Sequence, residues 1–228
     1  MKKDVFPQTL NTWIERKLAE GEAGRSELNH FVMRVYREPL RVYCLGTPGR
    51  YLGEPEDVVQ GFFADRLDRP DYFRGWKESG LRLRRWLMNG FGFYLKELRR
   101  ERRKQSHEKP LDESTEPGGD DASSAQVETE MDRAFAVSVV RQALLDTRKA
   151  CEAKGQSRHW EIFYRHYYEG RGYAEMVNEY GLEPTRAAEL ARTAATKFKS
   201  ALRDLLAGDG ALESEIDGEI ESLLGICA

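Results

Sequence analysis

The chain has 228 residues, 40% of them hydrophobic and 33% charged, with a net charge of -3. That length builds one large domain or two small ones with real cores, and no run of about 18 apolar residues offers a membrane span. The net value hides a segregation: residues 31–105 carry +7, 106–130 carry -7, 131–206 carry +3 and 207–228 carry -6. Basic segments parted and followed by acidic ones suit two modules facing a polyanion, or simply a solvated helical surface. The opening MKKDVFPQTL lacks an apolar core, so no secretory leader is expected. Cys44, Cys151 and Cys227 are odd in number and far apart. Neither a disulfide framework nor a cysteine zinc site is expected, and a reducing, cytoplasmic compartment is.

In chain order, Phe6, Leu10, Trp13, Ile14 and Leu18 suggest a short amphipathic helix in an N-terminal extension, 1–24. Leu28, Phe31, Val32, Val35, Tyr36 and Leu40 recur at three- and four-residue steps and make one apolar stripe. A third helix follows Pro55, a residue suited to a first-turn position, and carries Val58, Val59, Phe62, Phe63 and Leu67. A fourth runs from about Leu81 to Lys104, with Leu83, Leu87, Phe91, Tyr94, Leu95 and Leu98 on one side. Segment 106–130 holds Pro, Gly, Ser, Asp and Glu with almost no large apolar residue, which reads as a flexible acidic linker. Beyond it, helices are expected near 131–153, 157–169, 173–180 and 184–206. Alternating β-branched runs are missing, so the expected fold class is all-α. It comprises two helical domains, 25–105 and 131–206, joined by the linker 106–130 and followed by an acidic tail, 207–228.

The last two helices of the second module have a specific pattern. Tyr173, Met176, Val177 and Tyr180 form a short apolar face, and Gly181 sits where a left-handed residue would close the helix. Pro184 then opens a longer helix with small inward residues at Ala187, Ala191 and Ala194, and Phe198 beyond them. Two turns of helix, a glycine turn and a longer helix describe a helix-turn-helix, although many helical hairpins share the spacing. Nothing points to an enzyme: there is no phosphate loop, no H-E-x-x-H and no G-x-S-x-G. His159 and His166 lack neighbouring ligands at metal spacing and read as structural or surface residues. The cluster Trp160, Phe163, Tyr164, Tyr167 and Tyr168 reads as core.

The helix over 81–104 is more telling. Arg82, Arg84 and Arg85 crowd its start, and Lys96, Arg99, Arg100, Arg102, Arg103 and Lys104 crowd its end. Cations at a helix C-terminus complement the macrodipole, but six in nine residues exceed that need and make a phosphate-binding surface. Trp76, Trp86, Phe91 and Tyr94 lie near enough for a ring to stack on an unpaired base, with burial in the core as the alternative.

These residues carry a resemblance. EPEDVVQGFFADRL, followed by FRGWKESGLRLRRWLMNGFGFYLKELRRERR, resembles region 2 of the sigma-70 family, in particular the two-domain extracytoplasmic-function sigma factors. Asp57, Gln60 and Phe63 match its D-x-x-Q-x-x-F helix, and Trp86, Leu87 and Arg99 to Arg103 match the Trp-Leu helix with its Arg-rich end. Segment 157–206 resembles region 4 through Tyr173, Ala174, Glu175 and Gly181. The two regions stand in the right order with an acidic segment between them, about 150 residues in all. The resemblance implies a sigma factor that binds core RNA polymerase through Asp57 and Gln60 and directs transcription initiation. It implies capture of the minus-ten element by Lys96, Arg99, Arg100, Arg102 and Arg103 and by the loop 70–80. It implies reading of the minus-thirty-five element by Thr185, Arg186, Glu189, Arg192 and Thr193. Core polymerase, promoter DNA and an anti-sigma factor are the implied partners; no metal, cofactor or membrane is. The other readings are a degenerate sigma-like adaptor and a stand-alone helix-turn-helix regulator.

Two features depart from the pattern. The outward positions early in the recognition helix read Arg186, Ala188, Glu189 and Leu190, and a carboxylate near phosphates is repulsive unless it accepts from cytosine. The tail adds Leu212, Ile216, Ile220, Leu223 and Leu224 at helical steps, with acids on the other faces and no Lys or Arg. Such a helix needs an apolar groove and is drawn to basic surface. It either masks one of the basic modules or caps the core of the second.

Overall fold

The structure is a computed structural model and describes residues 11–69, 71–105 and 121–227. It contains ten α-helices and no strand among the described residues, as an all-α chain requires. They are α1 (Asn11–Ala19), α2 (Glu22–Gly46), α3 (Pro55–Leu67), α4 (Tyr72–Ser79) and α5 (Leu83–Gln105), then α6 (Asp121–Glu152), α7 (Ser157–Tyr167), α8 (Tyr173–Tyr180), α9 (Pro184–Gly208) and α10 (Ile216–Cys227). Phe6, Leu10, segment 106–120 and Ala228 lie outside the described residues.

The expected stripes are the buried ones. Leu28, Val32, Val35, Tyr36 and Leu40 of α2 are fully covered, as are Val59 and Phe62 of α3 and Leu83, Leu87 and Phe91 of α5. Phe62 meets Phe91 edge to face at 5.2 Å between ring centroids, a geometry that adds about 0.5–1.5 kcal/mol to burial alone. Nearby, a Cβ at Gly61 would crowd the Tyr94 hydroxyl, so glycine lets Tyr94 of α5 lie close against α3.

Two apolar clusters hold the chain. The larger joins α1–α5 to residues 131–143 of α6, residues 202–207 of α9, and Ile216, Ile220 and Leu223 of α10. The smaller binds the end of α6 to α7, α8 and the first half of α9 through Ile162, Phe163, Met176, Ala187, Leu190 and Ala191. Phe198 packs against both. The long helices α6 and α9 thus run from one cluster into the other.

Three local expectations need correction. Residues 121–130, assigned by composition to the flexible linker, form the start of α6. Val127 there packs on the end of α2 at Gly46, where a Cβ would come within 2.9 Å of a valine methyl. Acidic residues also suit the N-terminal end of a helix. Of the expected loop 70–80, Pro70 lies outside the described residues and Tyr72–Ser79 is helix α4: Phe73 and Trp76 face the core at helical spacing, and Gly80 closes the helix in a left-handed conformation, φ +66°. Finally, Tyr167 and Tyr168 are not core residues, being 61% and 65% exposed, although Phe163 is buried as expected.

Candidate functional site

The helical hairpin α8–α9 has the geometry its sequence suggests. Met176 is buried against Ala187, Ala191 and Ala194, with Tyr173, Tyr180 and Leu182 closing the edges. Gly181 has φ +60° and open space around its Cβ position, so backbone conformation, not crowding, selects glycine there. Thr185, Arg186, Glu189, Arg192 and Thr193 all lie on the outer face of α9. Leu190, read as outward from the sequence, is instead 6% exposed and belongs to the smaller core. It follows Ala187 by three and precedes Ala194 by four, which is the inward stripe. Arg186 pairs with Glu189 at 2.7 Å, and the Thr193 hydroxyl donates to the Glu189 carbonyl at 3.1 Å. Among these five positions there is one internally neutralised pair and one further cation, Arg192.

On α3, Val58, Val59, Phe62 and Phe63 turn inward, and Asp57 and Gln60 are exposed one helical turn apart. Gln60 borders a groove between α2 and α3, whose wall also includes Met33, Arg34, Arg37 and Ala64. Met33 is 39% exposed in that groove.

The basic end of α5 projects from the larger core. Lys96, Arg100 and Arg102 are exposed, and Arg99 and Arg103 are half-buried. Arg102 donates to the Tyr51 carbonyl at 3.2 Å, and Arg50 lies over the Tyr51 ring at 4.7 Å. Of the four rings weighed between stacking and the core, two went fully to the core. Trp76 and Phe91 are buried, Trp86 and Tyr94 are half-covered, and the Trp76 indole donates to the Leu81 carbonyl at 2.8 Å. The exposed rings beside the cations are Tyr51 and Phe93, at 72% and 63%, with the Lys96 ammonium 5.9 Å from the Phe93 centroid. The helical repeat explains this: Phe93 stands two positions from Phe91 and so faces away from the core stripe.

The start of α5 is built differently. Arg82, Arg84 and Arg85 stand where the positive end of the helix dipole disfavours cations. Each is met by carboxylates from the C-terminal half of the chain. Arg82 pairs with Glu215 and Glu219, both at 3.1 Å, Arg84 with Glu219 at 3.1 Å, and Arg85 with Glu128 at 2.7 Å.

Beneath them lies Asp209, fully buried at the end of α9. Its Oδ1 accepts from the Tyr36 hydroxyl at 2.7 Å and from the Arg84 backbone N–H at 2.8 Å, and its carbonyl accepts from the Leu83 N–H at 2.8 Å. Its Oδ2 faces the Arg84 guanidinium at 3.6 Å. Burial pushes the Asp209 carboxyl up to about 6, against the opposing pull of Arg84 and the Tyr36 hydroxyl. Sequence reasoning missed this node. The available signals were a lone acid in the otherwise apolar LLAGDGA and a hydroxyl within the α2 stripe.

No group of three His, Cys, Asp or Glu side chains is arranged to hold a metal among the described residues. No helix among them is long and apolar enough to cross a membrane. Comparison of the chain with models of protein families, with curated proteins and with solved structures gave no match.

Proposed function

We propose that this chain is a cytoplasmic sigma-type initiation factor, in which a region 2-like part (25–105) and a region 4-like part (131–206) bind core RNA polymerase and promoter DNA. The observation that carries the reading is the co-occurrence of three surfaces in family order. Helix α3 buries Val58, Val59, Phe62 and Phe63 and turns Asp57 and Gln60 outward, α5 ends in a partly exposed basic run, and the hairpin α8–α9 presents a polar outer face. In this reading α3 docks on core polymerase, the end of α5 with Tyr51 and Phe93 holds the opened minus-ten strand by phosphate contacts and stacking, and α9 enters the major groove upstream.

Gel filtration with core RNA polymerase tests the docking surface. Wild-type protein co-elutes, and Asp57→Lys combined with Gln60→Ala abolishes co-elution while leaving the circular dichroism unchanged. Full co-elution of the double variant removes α3 as the docking helix. Asp57 also sits in the first turn of α3, where its interaction with the dipole contributes about 0.3–1 kcal/mol. A purely structural role therefore predicts a small stability loss and intact binding.

Arg186→Ala separates base reading from phosphate binding. If Arg186 leaves Glu189 to meet a base edge, the substitution lowers discrimination among upstream duplexes by about 1–3 kcal/mol at one position. A uniform loss across all sequences makes it a phosphate contact instead. The Arg186–Glu189 pair is the observation that favours the second reading, a sigma-like adaptor with no upstream specificity. That reading predicts co-elution with core enzyme and no preference among duplexes.

A further inference from the structure

Arginines are a poor choice for the first turn of a helix, because the exposed N–H groups and the macrodipole already place positive potential there. Helix α5 has no acid in its first turn, and its start reads Arg82, Leu83, Arg84 and Arg85. The cluster therefore works against local helix stability. Its compensation comes from far along the chain: Glu215 and Glu219 lie 133 and 137 residues from Arg82, and Asp209 lies 125 residues from Arg84. Glu215 and Glu219 hold the two terminal nitrogens of Arg82 separately, much as two backbone phosphate oxygens would.

The apolar side of the same segment is also seated. Ile216, Ile220 and Leu223 are buried in the larger core, and Arg203 of α9 pairs with Glu213 and Asp217. The tail therefore caps α6 and α9 and at the same time covers the start of α5. Its apolar residues belong to the larger cluster and not to the smaller core of the second module.

We infer that Arg82, Arg84 and Arg85 form a second nucleic-acid phosphate site, and that Glu215 and Glu219 on Arg82 and Arg84, with Glu128 on Arg85, occupy it in the free chain until nucleic acid displaces them. The inference deepens the proposed function and rests on it for the identity of the ligand, while its test needs no polymerase. The site is distinct from the basic end of α5, where Arg102 donates to the Tyr51 carbonyl. Exchange of carboxylates for phosphates conserves the number of charge-assisted hydrogen bonds, so the site is kept intact and covered at little net cost. Neutralising the cover shifts the exchange toward nucleic acid without altering the site itself.

The test uses the full chain with Glu215→Gln and Glu219→Gln, which preserve side-chain size and leave Ile216, Ile220 and Asp209 in place. Fluorescence anisotropy with a labelled 20-nucleotide single strand reads binding across a salt series. The double variant should bind about 5-fold or more tightly than wild type, with log K against log salt steeper by about 0.7 for each additional phosphate neutralised. Adding Arg82→Gln and Arg85→Gln, neither of which touches Asp209, should erase the tighter binding. Glu22→Gln with Glu169→Gln, two exposed acids outside both the tail and α9, makes the same charge change and should leave affinity within about 2-fold of wild type. Unchanged binding by the Glu215/Glu219 variant overturns the inference, as does tighter binding that survives removal of the arginines. A lower melting temperature with no rise in affinity assigns the tail a structural role and overturns it too. Co-elution with core polymerase is measured on the same proteins: its failure in wild type counts against the sigma reading, whereas unchanged DNA affinity with co-elution intact counts against the covered site alone.

Discussion

Asp209→Ala should destabilise the folded chain by roughly 3–5 kcal/mol, the range for removing one partner of a buried charged network. The substitution leaves the Tyr36 hydroxyl and the Arg84 backbone N–H without the acceptor they share, and leaves the Arg84 guanidinium to Asp132 and Glu219. For a chain of this size each kcal/mol moves the melting temperature by about 2–4 °C. Urea unfolding measures the loss directly, and Tyr36→Phe, which removes one hydroxyl and keeps the ring, should cost only about 1–2 kcal/mol. A loss below about 1 kcal/mol for Asp209→Ala would remove the node as the tie between α2, α5 and α9.

The same carboxyl gives a pH dependence of definite sign. Its folded value, about 6, lies above its ordinary 3.8, so between those values the folded state binds more protons than the unfolded one. Stability from this group is therefore complete below about pH 4 and declines as pH rises through about 6, by up to about 3 kcal/mol. The groups facing it are Tyr36 from α2, Arg84 from α5 and, at longer range, Arg82. Subtracting the stability of Asp209→Asn from that of wild type at each pH isolates the contribution. A difference that rises with pH over this window would contradict the assignment.

The second large effect concerns the end of α5. Replacing Arg99, Arg100, Arg102 and Arg103 by Ala should weaken DNA binding regardless of sequence. It should flatten log K against log salt by about 0.7–0.9 for each phosphate no longer neutralised, up to about 3 for the four together. Lys96 and Phe93 remain, so stacking on Phe93 leaves residual binding with weak salt dependence. An unchanged slope would mean that these arginines face solvent when DNA is bound.

The helices were legible because their apolar residues repeat at three and four positions, and that repeat survives any tertiary arrangement. Leu83, Leu87 and Phe91 could be placed inward from spacing alone, and so could Ala187, Ala191 and Ala194. Gly181 announced its turn through backbone chemistry that only glycine satisfies cheaply. Short or mixed segments were harder. Helix α4 has two turns around Phe73 and Trp76, too few repeats to stand out beside Pro70 and Gly80. The first turns of α6 were hidden by acidic composition, since Val127 finds its partner only at Gly46.

What spacing could not supply was the pairing of distant segments. Arg82 and Glu215, or Tyr36 and Asp209, share no local pattern, and their 133- and 173-residue separations are bridged only by the packing of α2, α5, α6 and α9. The same limit explains the aromatic residues. Proximity to the cations left Trp76 and Phe91 open to stacking or to the core; the core took both, and Tyr51 and Phe93, which that reading did not single out, remain at the surface.

The most direct measurement is transcription in a purified system. The full chain is mixed with core RNA polymerase and a library of promoter fragments, and RNA initiated at defined start sites is sequenced. The account predicts transcripts that appear only when the chain is present, initiate downstream of a shared sequence element, and disappear with Asp57→Lys combined with Gln60→Ala. Co-elution with core polymerase but no start-site-specific RNA from any fragment would contradict it.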